Sequence, residues 1–335
     1  MKTFLVTGSS GFIGFHLCKS ILASGNKVVG LDSYSNYYDI NLKKSREKIL
    51  KEFSSYFSFK IDLKNFKSLE KIIKDYNPDI VCHLGAQAGV RYSKNNPVSY
   101  LNSNIIGTFN LLEALKDKKI EHLIIASTSS VYSSENAVPY SELQKNDRQV
   151  SLYASTKKTC ETLSHSYSHL YNIPTTCLRF FTVYGPWGRP DMAYFKFSDS
   201  IMSGKEINIH NNGNMARDFT FISDVITSIE KLVPVIPSKI KFSKIDSLSS
   251  IAPWRVINIG NENSVNLIVF IELLENLLGK KAKKKFVEME SGELEKTFAN
   301  CELLFNLIGF KPSISIQEGL PKFVNWYKLF KDKKC

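Results

Sequence analysis

The chain has 335 residues, with 44 Lys or Arg against 32 Asp or Glu, which gives a formal net charge of +12. Hydrophobic residues make up 43% and charged residues 23%, so a collagen-like or intrinsically disordered chain is excluded and a globular protein is expected. No apolar run approaches the ~18 residues that a membrane-spanning helix needs, and the N-terminus lacks the apolar stretch of a signal peptide.

The positive charge is mostly lysine and concentrates at residues 280–285 and 331–334. Nucleic-acid-binding proteins more often present arginine-bearing helices or aromatic-basic stripes, so we expect a solvated surface and no nucleic-acid partner. The six cysteines and six histidines are scattered without metal-ligand spacing. This predicts free thiols in a reducing cytoplasm and no metal site.

Short β-branched runs alternate with amphipathic helical patterns through the first half of the chain. This rhythm predicts a Rossmann-like, doubly wound parallel sheet of the α/β class, with helices on both faces. The predicted strands are Thr3–Thr7, Lys27–Leu31, Phe57–Ile61, Ile80–Leu84, Leu123–Ala126 and Thr175–Arg179. The predicted helices are Phe12–Ala23, Phe66–Tyr76, Pro97–Leu115 and Ser151–Tyr171.

Beyond residue 180 the pattern becomes irregular. Gly, Pro, Asn and aromatic residues dominate Gly185–Gly213, and the composition of Val233–Pro253 is typical of an inserted loop. Short helices are predicted near Ser223–Leu232, Leu267–Leu278 and Ile316–Phe330.

These patterns predict two structural units. A nucleotide-binding domain is expected for residues 1–180 together with about 222–262. A smaller, mainly C-terminal α/β lobe that binds the substrate is expected for residues 181–221 and 263–335.

A glycine-rich segment, Thr7–Gly14, follows the first predicted strand and begins the first helix. Gly8 is suited to a tight turn, Gly11 to close approach of a pyrophosphate, and Gly14 to close packing of helix on strand. The helix N-terminus then offers free N–H groups to phosphates. Although the spacing departs from G-x-G-x-x-G by one residue, we predict a dinucleotide site that includes Phe12 and Ile13.

Asp32 stands at the end of the second predicted strand. A carboxylate there binds the ribose hydroxyls of NAD and repels the 2′-phosphate of NADP, and residues 33–36 bring no positive charge, so NAD is the predicted cofactor. A turn cap is the alternative role for Asp32. Four residues that follow later strands complete the predicted cofactor site: Asp62 and Leu63, at the adenine edge, and Leu84 and Ala86.

Tyr153 and Lys157 are one helical turn apart on a predicted helix. An ammonium next to a phenol stabilises the phenolate, which can accept a proton from a sugar hydroxyl while hydride leaves the same carbon. The Y-x-x-x-K spacing alone is weak, because it also occurs at Tyr56/Lys60 and Tyr327/Lys331.

The surroundings of the Tyr153 pair distinguish it from the other two. A hydroxyl cluster, Ser127–Ser130, is placed just past the fifth predicted strand, where open α/β sheets bind their ligands. We therefore predict that Thr128 hydrogen-bonds the same sugar hydroxyl and shares in proton transfer. A turn or helix cap is the alternative role for Thr128.

The strings T-G-x-x-G-F-I-G, S-T-S-S-V-Y and Y-x-x-x-K resemble the extended short-chain dehydrogenase/reductase family, and in particular its nucleotide-sugar epimerases. Three longer segments are similar to the UDP-glucuronate 4-epimerases of that family: Leu84–Ser93, Arg179–Ala193 and Met215–Phe221. The resemblance covers essentially the whole chain and is weakest across Val233–Pro253 and after Lys280.

The resemblance implies a tightly held NAD that is not consumed, and 4-epimerisation of UDP-glucuronate to UDP-galacturonate through a 4-keto sugar. Tyr153, Lys157 and Thr128 are then the catalytic residues, and Tyr153 and Lys157 are also assigned to the cofactor site. The resemblance also assigns binding of the substrate carboxylate to Ser129, Ser130 and Thr182, with Arg189 nearby. Arg217 is assigned to the diphosphate and Arg91 to a second substrate contact; ordinary ion pairing is the alternative for Arg91 and Arg189.

Family relatives also imply a homodimer formed through the helices Pro97–Leu115 and Ser151–Tyr171, and a role in surface polysaccharide assembly. The dehydratase and decarboxylase activities of related enzymes fit this sequence less well. The chain has Thr128-Ser129-Ser130 at the positions where the 4,6-dehydratases of the family carry Thr-Asp-Glu. It also lacks the Glu that decarboxylating relatives carry in this cluster.

Three departures from the family pattern stand out. Ser133 replaces a usual Gly and would be strained if the position needs a positive φ. Gly85 replaces a more usual Ala, and Asn300 replaces a frequent Asp, which leaves the uridine-side contacts open. Two other functions stay open as alternatives: a 4-epimerase of a neutral UDP-hexose such as UDP-glucose, and a non-catalytic NAD-binding regulator.

Overall fold

The computed structural model describes residues 1–238 and 240–332. The strands of this part are β1 Thr3–Thr7, β2 Lys27–Asp32, β3 Tyr56–Lys60, β4 Ile80–His83, β5 His122–Thr128, β6 Thr175–Phe180, β7 Thr182–Tyr184, β8 Glu206–Ile209, β9 Ala216–Phe221, β10 Trp254–Ile259, β11 Ser264–Asn266 and β12 Lys283–Phe286. The α-helices are α1 Phe12–Ala23, α2 Ile40–Leu50, α3 Phe66–Tyr76, α4 Tyr92–Asn95, α5 Pro97–Tyr100, α6 Gly107–Leu115, α7 Leu152–Tyr171, α8 Ala193–Met202, α9 Ile222–Leu232, α10 Leu267–Leu278, α11 Glu302–Ile308 and α12 Ile316–Asp332. None of these helices is long and apolar enough to cross a membrane.

The larger sheet has seven strands in the order β10-β6-β5-β4-β1-β2-β3, and every pair in it is parallel. The predicted Rossmann-like architecture is therefore confirmed. Because β2 and β3 extend the sheet on one side of β1 and β4 extends it on the other, the loops after β1 and β4 diverge. This divergence leaves a crevice at the carboxyl ends of the strands, which is where such sheets bind ligands.

Alternating side chains of each strand enter the two cores of the domain, as the two-residue period of a strand requires. On β1, Val6 belongs to the core beneath α1 and α9, whereas Leu5 belongs to the core beneath α3 and α6. Both faces of the sheet are thus covered by helices, which explains why its strands are almost continuously apolar.

The smaller lobe combines a three-stranded sheet, β11-β9-β7, with the pair β12-β8 and the helices α8, α10 and α12. Helix α8 was not predicted, and the prediction that Gly185–Gly213 is irregular is wrong across Ala193–Met202. The aromatic side chains of this helix suggest a loop by composition alone. In the structure Tyr194 packs edge-on and Phe195 at a tilt against Phe323 of α12, and these tertiary contacts help to stabilise the helix.

The predicted elements of the first half lie within about two residues of the observed ones, with one exception, and two helices, α2 and α4, were not predicted. The predicted helix Pro97–Leu115 is divided into α5, a π-helical turn at Leu101–Ile106, and α6. Helix α2 was missed because it lacks an apolar stripe: the charged residues Lys43 and Arg46 are among its buried side chains.

The predicted inserted loop begins just after α9, which ends at Leu232, and its described residues up to Pro253 contain no strand or α-helix. Cys335 and residues 333–334 of the predicted lysine cluster lie outside the described residues. The five described cysteines are buried and free.

Candidate functional site

The phosphate loop, residues 8–14, lies at the crevice between β1 and β4. Gly8 has a φ of +69°, and a Cβ there would lie 2.9 Å from the Cα of Gly85. A Cβ on Gly14 would lie 2.1 Å from the carbonyl oxygen of Gly8, so only glycine allows α1 to approach the loop this closely. Gly11 caps α1 without a side-chain hydrogen bond, which leaves first-turn N–H groups for a pyrophosphate. These features fit NAD.

Asp32 is buried at the end of β2 and faces the same cavity as the phosphate loop. Its carboxylate accepts hydrogen bonds from the backbone N–H of Ser10, at 3.1 Å, and of Tyr34, at 2.8 Å. Lys43 Nζ lies 3.8 Å from Asp32 Oδ1 and donates to Ser35 Oγ at 3.2 Å. Residues 33–36 carry no positive charge, as the sequence shows, but α2, which was not predicted, carries Lys43 into the cavity wall beside this carboxylate.

Every residue predicted to bind the cofactor lines one cavity of about 380 Å³. The set is Gly8, Gly11, Phe12, Ile13, Gly14, Asp32, Asp62, Leu63, Leu84, Ala86, Tyr153 and Lys157. Segments at the carboxyl ends of four neighbouring strands supply ten of them, and α7 supplies Tyr153 and Lys157, so residues separated by up to about 150 positions in the sequence meet at one edge of the sheet.

Tyr153, Lys157 and Thr128 line this same cavity. Ser151 begins α7 by accepting the N–H of Ala154 at 3.2 Å, which places Tyr153 and Lys157 on its first two turns. The Lys157 side chain is 2% exposed, and no carboxylate of the described residues lies within ion-pair distance of its ammonium. An uncompensated buried ammonium is suited to stabilising a phenolate on the neighbouring tyrosine.

Two hydrogen-bond networks hold the elements around this pair. His83 bridges Thr7 Oγ1, at 2.8 Å, and Thr108 Oγ1, at 2.9 Å; burial and the nearby Lys157 lower its pKa to about 3, so the imidazole is neutral. Asn104, on the π-helical turn, donates to Thr156 Oγ1 at 2.9 Å and accepts from the backbone of the β4 loop. π-Helical turns are frequent at functional sites, and this one aims its asparagine between α7 and the cavity wall.

The predicted carboxylate site is also part of the first cavity, which Ser129, Ser130, Thr182 and Arg189 line. Ser127 and Thr128 belong to β5 itself, not to the loop past it as predicted, and Ser129 begins a 3₁₀ turn. Thr128 Oγ1 accepts the N–H of Ser130 at 3.1 Å, so its hydroxyl proton stays available to a ligand.

Arg189 forms a bidentate ion pair with Asp191, with Nε–Oδ1 at 3.0 Å and Nη2–Oδ2 at 2.5 Å. Tyr37 donates to the same carboxylate at 3.1 Å. Burial would raise the pKa of Asp191, but the guanidinium of Arg189 outweighs burial and lowers it. The ion pair predicted as the alternative is thus present, and its arginine lines the first cavity.

Arg91 and Arg217 line a second cavity of about 1010 Å³, which adjoins the first through Ser130 and Thr182. Glu293 bridges the two arginines: Oε1 lies 2.5 Å from Arg91 Nε, and Oε2 lies 3.7 Å from Arg217 Nη2. Glu293 was not predicted from the sequence, because no local motif marks it.

Of the three departures from the family pattern, two are resolved by the geometry. Ser133 has no positive φ, and its N–H donates to Asn136 Oδ1 at 2.9 Å, so the serine causes no strain. Gly85 packs against Thr7, whose Oγ1 would lie 3.0 Å from an added Cβ. Asn300 caps a turn by accepting the N–H of Glu302 at 2.9 Å, and it lines neither cavity.

A model of the NAD dependent epimerase/dehydratase family matches residues 4–235 of the chain. The chain belongs to this family. It is 44% identical over 328 residues to a probable UDP-glucuronate 4-epimerase of Rhizobium meliloti, with 97% of this chain and 96% of that protein covered. It is also 47% identical over 327 residues to protein CapI of Staphylococcus aureus, with 96% and 97% covered.

A solved structure of UDP-glucuronic acid 4-epimerase from Bacillus cereus, in complex with UDP-glucuronic acid and NAD, has a similar fold. The TM-score is 0.87 at 34% identity, with 98% of this chain and 99% of that chain covered. The predicted family and fold are confirmed for this epimerase/dehydratase chain, and NAD is the cofactor that the family name specifies.

Proposed function

We propose that this chain is an NAD-dependent UDP-glucuronate 4-epimerase, which interconverts UDP-glucuronate and UDP-galacturonate through a 4-keto sugar. The observation that carries the proposal is one cavity in which the Tyr153–Lys157 pair lies with the phosphate loop and a cluster of hydroxyl groups. The relative named for this activity in Rhizobium meliloti and the Bacillus cereus complex support it.

Tyr153 is the proposed acid–base residue. The buried ammonium of Lys157 stabilises its phenolate, which accepts the proton of the C4 hydroxyl and returns it when C4 is reduced on the opposite face. Thr128 donates its free hydroxyl proton to the same sugar oxygen and relays charge between sugar and tyrosine. NAD, when bound, supplies the oxidation and re-reduction of C4.

The carboxylate at C5 makes the 4-keto sugar a β-keto acid. If its C5–C6 bond aligns with the ketone, CO₂ leaves, the electron pair of that bond passes into an enolate, and C5 is then protonated. An epimerase must therefore hold the carboxylate in an unreactive orientation. We assign this task to the hydroxyl groups of Ser129, Ser130 and Thr182 and to Arg189, which line one wall of the cavity.

The diphosphate is assigned to the second cavity, where Arg91 and Arg217 lie on either side of Glu293. Two guanidinium groups are suited to the several oxygens of a diphosphate, since each presents a planar fork of donors. The carboxylate of Glu293 occupies these donors in the present structure, and a bound nucleotide would compete with it.

The test is incubation of the purified protein with UDP-glucuronate, without added cofactor, while NMR follows the configuration at C4. We expect an equilibrium mixture of the two epimers, supported by NAD that co-purifies and is detected by mass spectrometry of the denatured protein. UDP-glucose is the matched substrate, because it lacks only the carboxylate. Faster turnover of UDP-glucose would contradict the carboxylate assignment, and no turnover of either sugar would contradict the proposed activity.

A homodimer is proposed through the helices α5–α6 and α7. These helices expose apolar side chains that belong to a face without a covering element in the described chain: Val98, Leu101, Ile106, Phe109, Leu170 and Tyr171. Two copies packed through this face would form a four-helix interface. Light scattering is expected to give the mass of a dimer for the wild type and that of a monomer for Phe109→Glu. Leu329→Glu, on the exposed face of α12, is the control and should remain a dimer.

The two-unit organisation is proposed with the same boundaries as in the sequence analysis. It is supported by β10, which joins the seven-stranded sheet beside β6, and by α9, which packs on α1. A cytoplasmic location is likewise a proposal, supported by the free state of the five described cysteines.

A further inference from the structure

Arg46 is a buried cation whose hydrogen-bond partners are all uncharged. Its side chain, on α2, is 0% exposed, and no carboxylate of residues 1–238 and 240–332 lies within ion-pair distance of it. One of its donors, Nε, has no hydrogen-bond partner. A buried charge without a neighbouring anion destabilises the folded state. We therefore expect Arg46 to have a role other than ion pairing.

The guanidinium of Arg46 connects segments that line different parts of the candidate site. Nη1 donates to the carbonyl of Ser10 in the phosphate loop and to the hydroxyl of Tyr38, both at 2.9 Å. Nη2 donates to the carbonyl of Trp187 at 2.5 Å and to that of Gly188 at 3.3 Å. One planar group thus joins the cofactor loop to the segment that carries Arg189.

That segment needs such support, because its backbone is strained. Trp187 has a φ of +60°, a left-handed conformation that a bulky side chain adopts only when its surroundings enforce it. The carbonyls of Pro186, Trp187 and Gly188 all accept side-chain hydrogen bonds, the first from His16 at 3.0 Å and the other two from Arg46. Arg189, the next residue, enters the cavity directly after this fixed turn.

We propose that Arg46 is a positioning residue, which fixes the segment Trp187–Asp191 against the phosphate loop. Binding of the cofactor to the phosphate loop then determines the position of Arg189 in the cavity. The inference rests on the proposed function for its link to the substrate carboxylate. The coupling of the two loops, in contrast, depends only on the hydrogen bonds of Arg46.

Arginine is required for this connection by geometry as well as charge. The guanidinium holds Nη1 and Nη2 about 2.3 Å apart in one plane, so it reaches acceptors on two loops at once, whereas the single nitrogen of lysine cannot. Arg46→Lys therefore keeps the buried charge and removes the bridge. Arg255→Lys is the matched control, since Arg255 is also buried, pairs with Asp246 at 2.9 and 3.1 Å, and lines neither cavity.

The first experiment compares these two variants for melting temperature, for KM and kcat with UDP-glucuronate, and for the fraction of product that has lost CO₂. We expect both variants to melt at lower temperature. Only Arg46→Lys is expected to lower kcat about tenfold or more and to raise the decarboxylated share several-fold, because Arg189 is then misplaced. Equal product ratios in Arg46→Lys and Arg255→Lys would overturn the proposal.

The second experiment needs neither turnover nor a folded variant. Hydrogen exchange is measured on the wild-type protein with NAD bound and after its removal, with no sugar present. The amides of Trp187, Gly188, Arg189 and Asp191 are expected to exchange several-fold more slowly with NAD, although this segment belongs to the sugar side of the cavity. Exchange that is indifferent to NAD would overturn the coupling, whereas failure to turn over UDP-glucuronate would contradict only the proposed function.

Discussion

Arg179 donates through Nε and Nη2 to the two carboxylate oxygens of Glu161, each at 2.8 Å, with 2% and 1% of the two side chains exposed. Ser127 Oγ donates to the same carboxylate at 2.7 Å, at the end of the strand that carries Thr128. Burial would raise the pKa of Glu161, but Arg179 outweighs it and lowers the value to about 2. The ion pair therefore supports the floor of the proposed active site.

Glu161→Gln is expected to lower the free energy of unfolding by about 3 to 5 kcal/mol, because it leaves the Arg179 guanidinium buried without its counter-ion. Urea unfolding measures the loss. The control is Glu135→Gln, whose partner Arg148 lies 3.2 Å away with both side chains mostly exposed; it should cost less than ~1 kcal/mol. Similar losses in the two variants would contradict the assignment.

Tyr153→Phe is expected to lower kcat for UDP-glucuronate by about 10²- to 10⁴-fold, the usual contribution of a general acid–base group. The NAD content should stay at the wild-type level, since only a hydroxyl is removed. Tyr327→Phe is the matched control: it belongs to another Y-x-x-x-K sequence, and its hydroxyl donates to Asp199 at 2.6 Å in the smaller lobe. A variant of Tyr153 that turns over normally would exclude the proposed chemistry.

Gly14→Ala is expected to weaken NAD retention about tenfold or more, because the new methyl group would lie 2.1 Å from the Gly8 carbonyl and push α1 away from the loop. The ratio of NAD to protein after gel filtration measures this. Gly25→Ala serves for comparison, since Gly25 has a φ of +76° but no atom within 4 Å of an added Cβ. That variant should be less stable yet keep its NAD; equal losses would point to general instability.

Glu293→Gln is expected to lower KM for UDP-glucuronate about 3- to 10-fold, because the carboxylate that competes with the diphosphate for Arg91 and Arg217 is neutralised. Initial rates at low ionic strength measure the change. Glu288→Gln, an exposed neighbour on the same segment, provides the control and should leave KM unaltered. An increase of KM in Glu293→Gln would show that the carboxylate assists binding.

Burial raises the pKa of Glu142 from its ordinary 4.5 to about 7, although its carboxylate accepts the N–H of Asn258 at 2.8 Å. The folded state therefore prefers the protonated acid. This contribution to stability is fully present below pH 4.5 and is lost as the pH rises through 7. Relative to Glu142→Gln, the wild type should lose about 2 to 3 kcal/mol of unfolding free energy between pH 4.5 and 7.5.

Denaturant titrations of both proteins across this pH range check the prediction. The difference between them is informative because the buried histidines act in the opposite direction. Burial lowers the pKa of His122 to about 4, so its contribution weakens as the pH falls. A constant difference between the two proteins would show that folding does not raise the pKa of Glu142.

The sequence predicted the larger sheet well because local patterns determine it. Apolar runs bounded by turns placed β1 through β6 within about two residues, and the glycines of Thr7–Gly14 located the phosphate loop. Helix α2 escaped prediction because such a local pattern is missing there. Its buried side carries the charged residues Lys43 and Arg46, so the helix has no continuous apolar stripe. Helix α8 escaped because tertiary contacts stabilise it, among them aromatic packing against α10 and α12.

By itself, the sequence determined which residue types are available for the proposed chemistry, because the Tyr153–Lys157 spacing and the glycine pattern follow from helical and turn geometry within a few residues. Only the tertiary structure decided which distant groups meet them. Glu293 between Arg91 and Arg217, Lys43 beside Asp32, and Arg46 across two loops are contacts between remote segments. No local periodicity encodes such contacts, since they depend on how segments that are remote in the sequence pack around the crevice.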